Sequence, residues 1–185
     1  MKLGRIASVL AFSALACAVM KLPAAAAEQR FACGRSGGVP ATMAKTSRGL
    51  VPVIKWTSSH FSSSGYSPLR RCQIVSNKFQ QYYETGQLNY LTTGRVSYPN
   101  QVDYQNVVCV AKARLGACNG VLFTLKPGSN PGRTLKRLMD VRLQASGPLN
   151  ETSGRVYIEM EKFLNEAPVD QNASADPNAP TTGLW

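Results

Sequence analysis

The sequence predicts a single α+β domain in which an antiparallel sheet carries two packed helices and two disulfides close the fold. Three observations lead to this prediction: short β-rich runs between turn residues, two amphipathic segments that begin with a capping residue and proline, and an even set of cysteines after the N-terminal segment. The chain has 185 residues, and 44% of them are hydrophobic, which suffices for one packed core. The length excludes a multidomain enzyme, and the composition excludes a wholly disordered chain.

The first 27 residues have the pattern of a secretory signal peptide. Lys2 and Arg5 form a positive start, residues 6–20 carry no charge, and small residues precede a predicted cleavage site after Ala27. The uncharged run is shorter than the roughly 17–25 residues that a spanning helix needs, and no later run is longer. We therefore expect an exported mature chain, in the periplasm or the thylakoid lumen, that is soluble or peripheral to a membrane.

The predicted strands of the first half are short β-rich runs around a turn at 46–49. They cover residues 31–34, 39–45 and 50–56. Pro40 and Pro52 indicate that the second and third of these are edge or irregular strands, because proline cannot donate to a β-ladder. A serine-rich loop over 57–65 follows.

The clearest predicted helix begins at Ser67-Pro68, where serine suits the cap and proline the first turn, and ends at Gly86. Its apolar residues recur every three or four positions, which places them on one face. These residues are Leu69, Cys72, Val75, Phe79 and Tyr82.

The second predicted helix follows the turn cluster at 127–132, with Ser129 or Asn130 as its cap, and ends at 145–148. Its apolar side consists of Leu135, Leu138, Met139 and Val141.

Further strands are predicted in the second half, with an irregular polar connection over 98–106. They cover residues 88–96, 107–112, 118–125 and 155–160. From residue 165 onward Pro, Asn, Asp, Ala and Thr dominate. The sequence therefore predicts a folded domain over 28–164 and a disordered tail over 165–185.

Four cysteines remain after the predicted cleavage: Cys33, Cys72, Cys109 and Cys118. In an exported chain they predict two disulfides, whereas a metal site of four thiolates lacks a C-x-x-C pair to seed it. If the runs carrying Cys109 and Cys118 form a hairpin, those two cysteines face each other and Cys33 pairs with Cys72. The alternative pairs Cys33 with Cys109 and Cys72 with Cys118, and the sequence does not decide between them.

The charge of the chain is strongly positive, with 21 Lys and Arg against 10 Asp and Glu, a net +11. Residues 28–164 alone hold 18 basic and 7 acidic residues. Such an excess favours an anionic partner, and export excludes nucleic acid as that partner. The candidate contacts to an anion or a lipid headgroup lie on the two helices: Arg70, Arg71, Arg133, Lys136 and Arg137.

The only histidine, His60, lies in the serine-rich loop and is the single candidate for a catalytic base near neutral pH. Residues 34–38 match the letters G-x-S-x-G, but Val39-Pro40 follows where a nucleophile elbow needs a helix. No acid lies between Ser36 and His60 to complete the usual order of a hydrolase triad. We therefore predict no catalytic residue, no metal ligand and no cofactor.

The order of several short motifs resembles the cyanobacterial circadian oscillating protein family over about residues 30–164. The motifs are FACG at 31–34, VPAT at 39–42, VPVIKW at 51–56, RCQ at 71–73, FTLKPG at 123–128, GPLNE at 147–151 and RVY at 155–157. The resemblance implies an exported or membrane-peripheral protein whose family is named for abundance that cycles with the day. It supplies no catalytic residue that could be carried over to this chain.

The leading hypothesis from the sequence is a non-enzymatic, disulfide-stapled, exported domain that associates peripherally with an anionic membrane or envelope surface. One alternative is a small exported hydrolase that uses His60 with a nearby serine. Another is a module that binds an acidic envelope protein. The sequence predicts neither the ligand nor the oligomeric state.

Overall fold

The computed structural model describes residues 29–99, 103–139 and 155–178. The predicted signal peptide over 1–27 and the predicted end of the second helix at 145–148 lie outside these described residues. Within them the predicted α+β class is confirmed. The strands, however, form two antiparallel sheets where the sequence predicts one, and a third helix is added.

The first sheet is an antiparallel meander with the strand order β1-β2-β3. Its strands are β1 (Phe31–Ser36), β2 (Val39–Thr46) and β3 (Gly49–Lys55). Strand β3 lies at the edge, and its pairing with β2 shifts register beside Pro52, as proline predicts. The edge prediction is wrong for Pro40, since β2 is the central strand. Pro40 is tolerated there because it is the second residue of the strand, where its carbonyl accepts from the backbone of Trp56.

The second sheet has the strand order β6-β5-β4-β7. Its strands are β4 (Tyr90–Val96), β5 (Gln105–Ala111), β6 (Gly120–Thr124) and β7 (Ile158–Glu159). The predicted strand over 155–160 is wrong beyond β7, because Met160 begins helix α3 (Met160–Glu166). Met160, Phe163 and Leu164 are buried at helical spacing, which competes with the alternation that ends at Met160.

The two predicted helices are present as α1 (Pro68–Glu84) and α2 (Pro131–Leu138). Ser67 caps α1 by accepting from the backbone N–H of Arg70, and Asn130 caps α2 in the same way. Gly86 follows α1 with a φ of +63°, a conformation that favours glycine. The predicted apolar faces contribute buried residues to the core, namely Cys72, Val75 and Phe79 from α1 and Leu135 and Met139 from the α2 segment.

Helix α1 connects the two sheets. Its Phe79 packs against Phe31 of β1, with ring centroids 5.4 Å apart. On the other side, Lys78 donates to two successive backbone carbonyls of β6, and burial lowers the pKa of its ammonium. The ring of Tyr82 lies so close to Gly120 that a Cβ there would clash with it. A helix held in this way fixes the loop that precedes it relative to both sheets.

Two disulfides fasten this arrangement, Cys33–Cys72 between β1 and α1, and Cys109–Cys118 across the β5–β6 hairpin. The prediction of two disulfides is therefore confirmed, and of the two pairings that the sequence left open the structure has the hairpin pairing. The hairpin explains this pairing. Strands β5 and β6 are antiparallel neighbours, and the Cα atoms of Cys109 and Cys118 lie 5.6 Å apart, within the range of a disulfide.

The segment that follows α3 belongs to the predicted tail, and its described residues are hydrogen-bonded to the first sheet. We call residues 167–178 the C-terminal strap. Its Asp170 donates through the backbone to Leu50 of β3, and the Asp170 carboxylate accepts from the hydroxyl of Ser36 in β1. Ser174 pairs with Arg35 through two backbone hydrogen bonds at the outer edge of β1. Residues 179–185 lie outside the described part.

Candidate binding groove

The predicted basic residues lie on two helices that pack on different strands. Arg70 and Arg71 are in the first turn of α1, which carries no acidic residue. Helix α1 contacts β1, β2 and β6, whereas α2 contacts β3, β4 and β5. The α2 residues divide into exposed Arg133 and Arg137 and half-buried Lys136. Lys136 and Arg137 occupy the last turn of α2, where positive charge complements the helix dipole.

Arg71 differs from its neighbour Arg70, because its guanidinium is packed and not solvated. It stacks over the rings of Trp56 and Phe61, with its Cζ 5.0 and 5.6 Å from the ring centroids. One of its terminal nitrogens donates to the carbonyl of Ser58, while its Nε is buried without a hydrogen-bond partner. Burial lowers the pKa of Arg71 from its ordinary value, but the guanidinium stays charged at neutral pH.

Arg71 lines a groove of about 450 Å³ at the junction of the loop before α1, the start of α1, the connection into β5, and strand β6. Most of its walls are apolar or aromatic. The residues that line it with Arg71 are Phe61, Ser64, Tyr66, Ile74, Val75, Tyr98, Gln105, Leu122, Phe123 and Thr124. The volume falls within the range of small-molecule sites.

Three of the six large apolar side chains that are exposed in the described part line this groove. Tyr66 is 49% exposed, Tyr98 38% and Ile74 36%, and all three line it. Tyr104, whose ring lies under the guanidinium of Arg95, directly precedes the lining residue Gln105. Contiguous exposed apolar surface of this kind marks a site of interaction more often than scattered single residues do.

A second cleft of about 350 Å³ contains Arg30 and Tyr83. The guanidinium of Arg30 lies 5.0 Å from the ring centroid of Tyr83, and one of its terminal nitrogens is 3.4 Å from a carboxylate oxygen of Glu161. Its charge is therefore balanced within the protein. Within the described residues, by contrast, no carboxylate contacts Arg71.

Acidic residues of the described part are concentrated near its C-terminal end. They are Glu159, Glu161, Glu166, Asp170 and Asp176, with only Glu84 and Asp103 earlier in the chain. The two ion pairs between described residues, Arg30–Glu161 and Lys162–Glu166, both draw on this segment. Several other cations instead donate to carbonyls, as Arg48 does to Leu164 and Ala167. Basic residues therefore outnumber acidic ones over the rest of the described part.

The residues considered for a hydrolase are not assembled into a catalytic arrangement in the described part. His60 is exposed, its ring packs edge-on against Phe61, and its backbone N–H donates to Ser58. Ser36, from the G-x-S-x-G match, is buried and donates to Asp170 at the end of the β1 strand. These contacts give both residues structural roles.

The sequence reasoning missed the aromatic residues of the groove. Tyr66 lies between a serine-rich loop and a helix cap, and Tyr98 lies in a polar connection. The sequence signal that could have identified them is an aromatic residue in an otherwise polar loop, because a surface loop offers no core in which such a side chain is buried. Among the described residues there is also no metal-binding group of three or more His, Cys, Asp or Glu side chains.

Comparison with protein families agrees with the motif order. The family described as Circadian oscillating protein COP23 matches over residues 30–165. The chain belongs to this family. No curated protein and no solved structure matches it. The COP23 match ends before the C-terminal strap, so Asp170, the partner of Ser36, lies beyond the matched residues.

Proposed function

We propose that this COP23-family protein is an exported, non-enzymatic domain that binds peripherally to an anionic membrane surface. The observation that carries the proposal is the excess of basic over acidic residues in the described part, where both described ion pairs involve the acidic C-terminal segment. The two disulfides support an oxidising compartment. Within the described residues, no helix is long and apolar enough to cross a membrane, so a peripheral contact is the form of association proposed.

The expected strength of this association follows from the number of basic residues that reach the lipid. Each Lys or Arg near an anionic surface contributes roughly 1 kcal/mol, and the contribution falls off within a Debye length of about 10 Å at 0.1 M salt. The five candidates, Arg70, Arg71, Arg133, Lys136 and Arg137, stay the proposed contacts. Because salt screens the contribution of each of these charges, we expect salt to weaken binding steeply.

Flotation of the mature protein with vesicles tests the proposal. The protein is expected to float with phosphatidylglycerol vesicles at low salt, to be released at high salt, and to ignore phosphatidylcholine vesicles. The variant Arg133→Gln/Arg137→Gln should float less, while the control Arg133→Lys/Arg137→Lys, which keeps the charge, should float like the wild type. A protein that never floats with anionic vesicles contradicts the proposal. Capture by a lipid-free acidic envelope protein under those conditions would favour the protein-binding alternative instead.

A further inference from the structure

The groove beside Arg71 combines a charged group and apolar walls in a way that the proposed membrane contact does not require. A surface that only meets lipid headgroups needs exposed cations, such as Arg133 and Arg137. Here a cation is instead half-buried over Trp56 and Phe61, in the wall of a concavity of about 450 Å³. Such a shape suits a molecule that enters the protein surface.

The electrostatics of the groove select the charge of that molecule. The Arg71 side chain donates to the carbonyl of Ser58 and contacts no carboxylate within the described residues. A buried, unpartnered Nε is shared with Arg30 and Arg35, so it does not distinguish Arg71 by itself. The distinguishing feature is that Arg71 keeps an uncompensated charge in an open groove, where a guanidinium can hold a phosphate through two parallel hydrogen bonds.

The walls of the groove favour a ligand whose remaining part is apolar. Phe61, Ile74 and Phe123 offer apolar surface, and Tyr66 and Tyr98 carry hydroxyls at their exposed ends. Tyrosine suits the boundary between an apolar and an aqueous phase because its ring is apolar and its hydroxyl is polar. A ligand with an anionic head and an apolar body matches both parts of the groove.

An extended peptide fits the same surface less well. Peptides that bind in extended form usually add to a free strand edge through main-chain hydrogen bonds. The carbonyls of Val121 and Leu122, on the β6 strand beside the groove, already accept from Lys78. That part of β6 is therefore occupied by the protein itself.

We propose that the groove binds a single anionic phospholipid, with the headgroup phosphate at Arg71 and part of the apolar chain between the aromatic walls. The inference rests on the proposed function, since it names the site through which the domain recognises one lipid of the membrane. It goes further because it requires a saturable site with one dominant cation, which a diffuse basic surface does not provide.

Trp56 supplies a reporter for the test. It is buried beneath Arg71, its ring lies 5.2 Å from that of Phe123, and the only other tryptophan in the chain is Trp185. In the mature protein with Trp185→Phe, titration with short-chain phosphatidylglycerol below its micelle concentration should change the Trp56 fluorescence saturably. Short-chain phosphatidylcholine, inorganic phosphate and octanoate should bind at least tenfold more weakly.

Two adjacent arginines provide matched variants. In the Trp185→Phe background, Arg71→Gln is expected to weaken phosphatidylglycerol binding at least tenfold, about 1.4 kcal/mol, whereas Arg70→Gln should change it less than twofold. Arg71→Lys keeps the charge without the planar fork and should give an intermediate loss. If Arg71→Gln fails to fold, Tyr98→Ala takes its place with exposed Tyr83→Ala as its control, since Tyr83 lies in the other cleft.

Several outcomes would overturn the inference while leaving the proposed function in place. Equal losses for Arg70→Gln and Arg71→Gln would show that only net charge matters. Unsaturable lipid binding by a protein that still floats with anionic vesicles would show that no discrete site exists. Equal binding of octanoate or phosphate, or preference for an acidic aromatic peptide, would assign the groove to another ligand. Loss of flotation by the wild type would instead contradict the proposed function.

Discussion

Two clefts of this molecule each hold an arginine over an aromatic ring, yet they differ in their electrostatics. Arg30 lies over Tyr83 and meets the carboxylate of Glu161, whereas Arg71 lies over Trp56 and Phe61 without a carboxylate in the described part. The same stacking contact therefore serves two purposes. With an internal counter-ion it fastens α3 to the start of β1, and without one it leaves a charge available to a ligand.

Both clefts depend on how α1 is held against the first sheet, so the largest expected effect comes from its disulfide. Cys33→Ala/Cys72→Ala opens a link between residues 39 positions apart, while Cys109→Ala/Cys118→Ala opens one of only 9. Loop-closure entropy predicts losses in the free energy of unfolding of about 4 and about 2.6 kcal/mol, respectively. Urea denaturation of the two variants measures both values.

The informative result is which of the two variants loses more free energy of unfolding. A hairpin variant that is less stable than the Cys33→Ala/Cys72→Ala variant would contradict the expectation that the disulfide closing the longer loop contributes more to stability. The oxidised wild type, measured alongside, supplies the common reference.

A second variant separates stability from binding. Asp170→Ala removes the partner of buried Ser36, and a buried hydroxyl without its partner costs about 1–3 kcal/mol. Neither residue lines the groove or the Arg30 cleft. We expect denaturation at lower urea and unchanged phosphatidylglycerol affinity, with Asp176→Ala as the mild control. Reduced affinity in Asp170→Ala would show that the groove responds to global stability and not to its own residues.

A single substitution can also remove the electrostatic difference between the two clefts. Ile74 lies three positions after Arg71 on α1 and lines the same groove, so Ile74→Glu places an internal carboxylate beside the unpaired cation. Binding of phosphatidylglycerol should fall at least tenfold, as measured by Trp56 fluorescence. The uncharged control Ile74→Gln should lose less than threefold. Equal losses in the two variants would attribute the effect to the apolar wall and not to the charge of Arg71.

The smallest expected effect is at the balanced cleft. Glu161→Gln breaks the pair with Arg30, but the Glu161 side chain is 67% exposed. Solvent screens such a pair, and its loss should cost less than about 1 kcal/mol in the free energy of unfolding. Thermal denaturation at low and at 1 M salt measures it, and the difference between variant and wild type should shrink at high salt. A loss that does not depend on salt would indicate packing and not an ion pair.

The sequence predicted well those parts of the fold in which local chemistry decides. Ser67 and Asn130 cap their helices as expected, and Cys109 pairs with Cys118 across the hairpin, one of the two pairings that the sequence left open. It failed where two local patterns overlap, as at Met160, which ends an alternation and begins a helical spacing. In each successful case the deciding contact lies within about ten residues along the chain.

The remaining features depend on partners distant in the sequence. The C-terminal strap has the composition of a disordered tail, but its backbone pairs with the edge of β1 and its Asp170 reaches Ser36. For the candidate site, the sequence named Arg71 but grouped it with Arg70 by charge. Only the position of Trp56 and Phe61 beneath its guanidinium separates the two. All three residues lie within sixteen positions of the chain, but the turn of the loop that stacks them has no periodicity that the sequence would reveal.

The central claim is that one arginine among many contributes more to membrane binding than its charge. Its most direct test compares wild type, Arg70→Gln and Arg71→Gln for binding to phosphatidylglycerol vesicles at one fixed salt concentration. Each variant removes one positive charge from neighbouring positions of α1. We predict a clearly greater loss of bound protein for Arg71→Gln than for Arg70→Gln. Equal losses would contradict it, because they would mean that the groove contributes nothing beyond net charge.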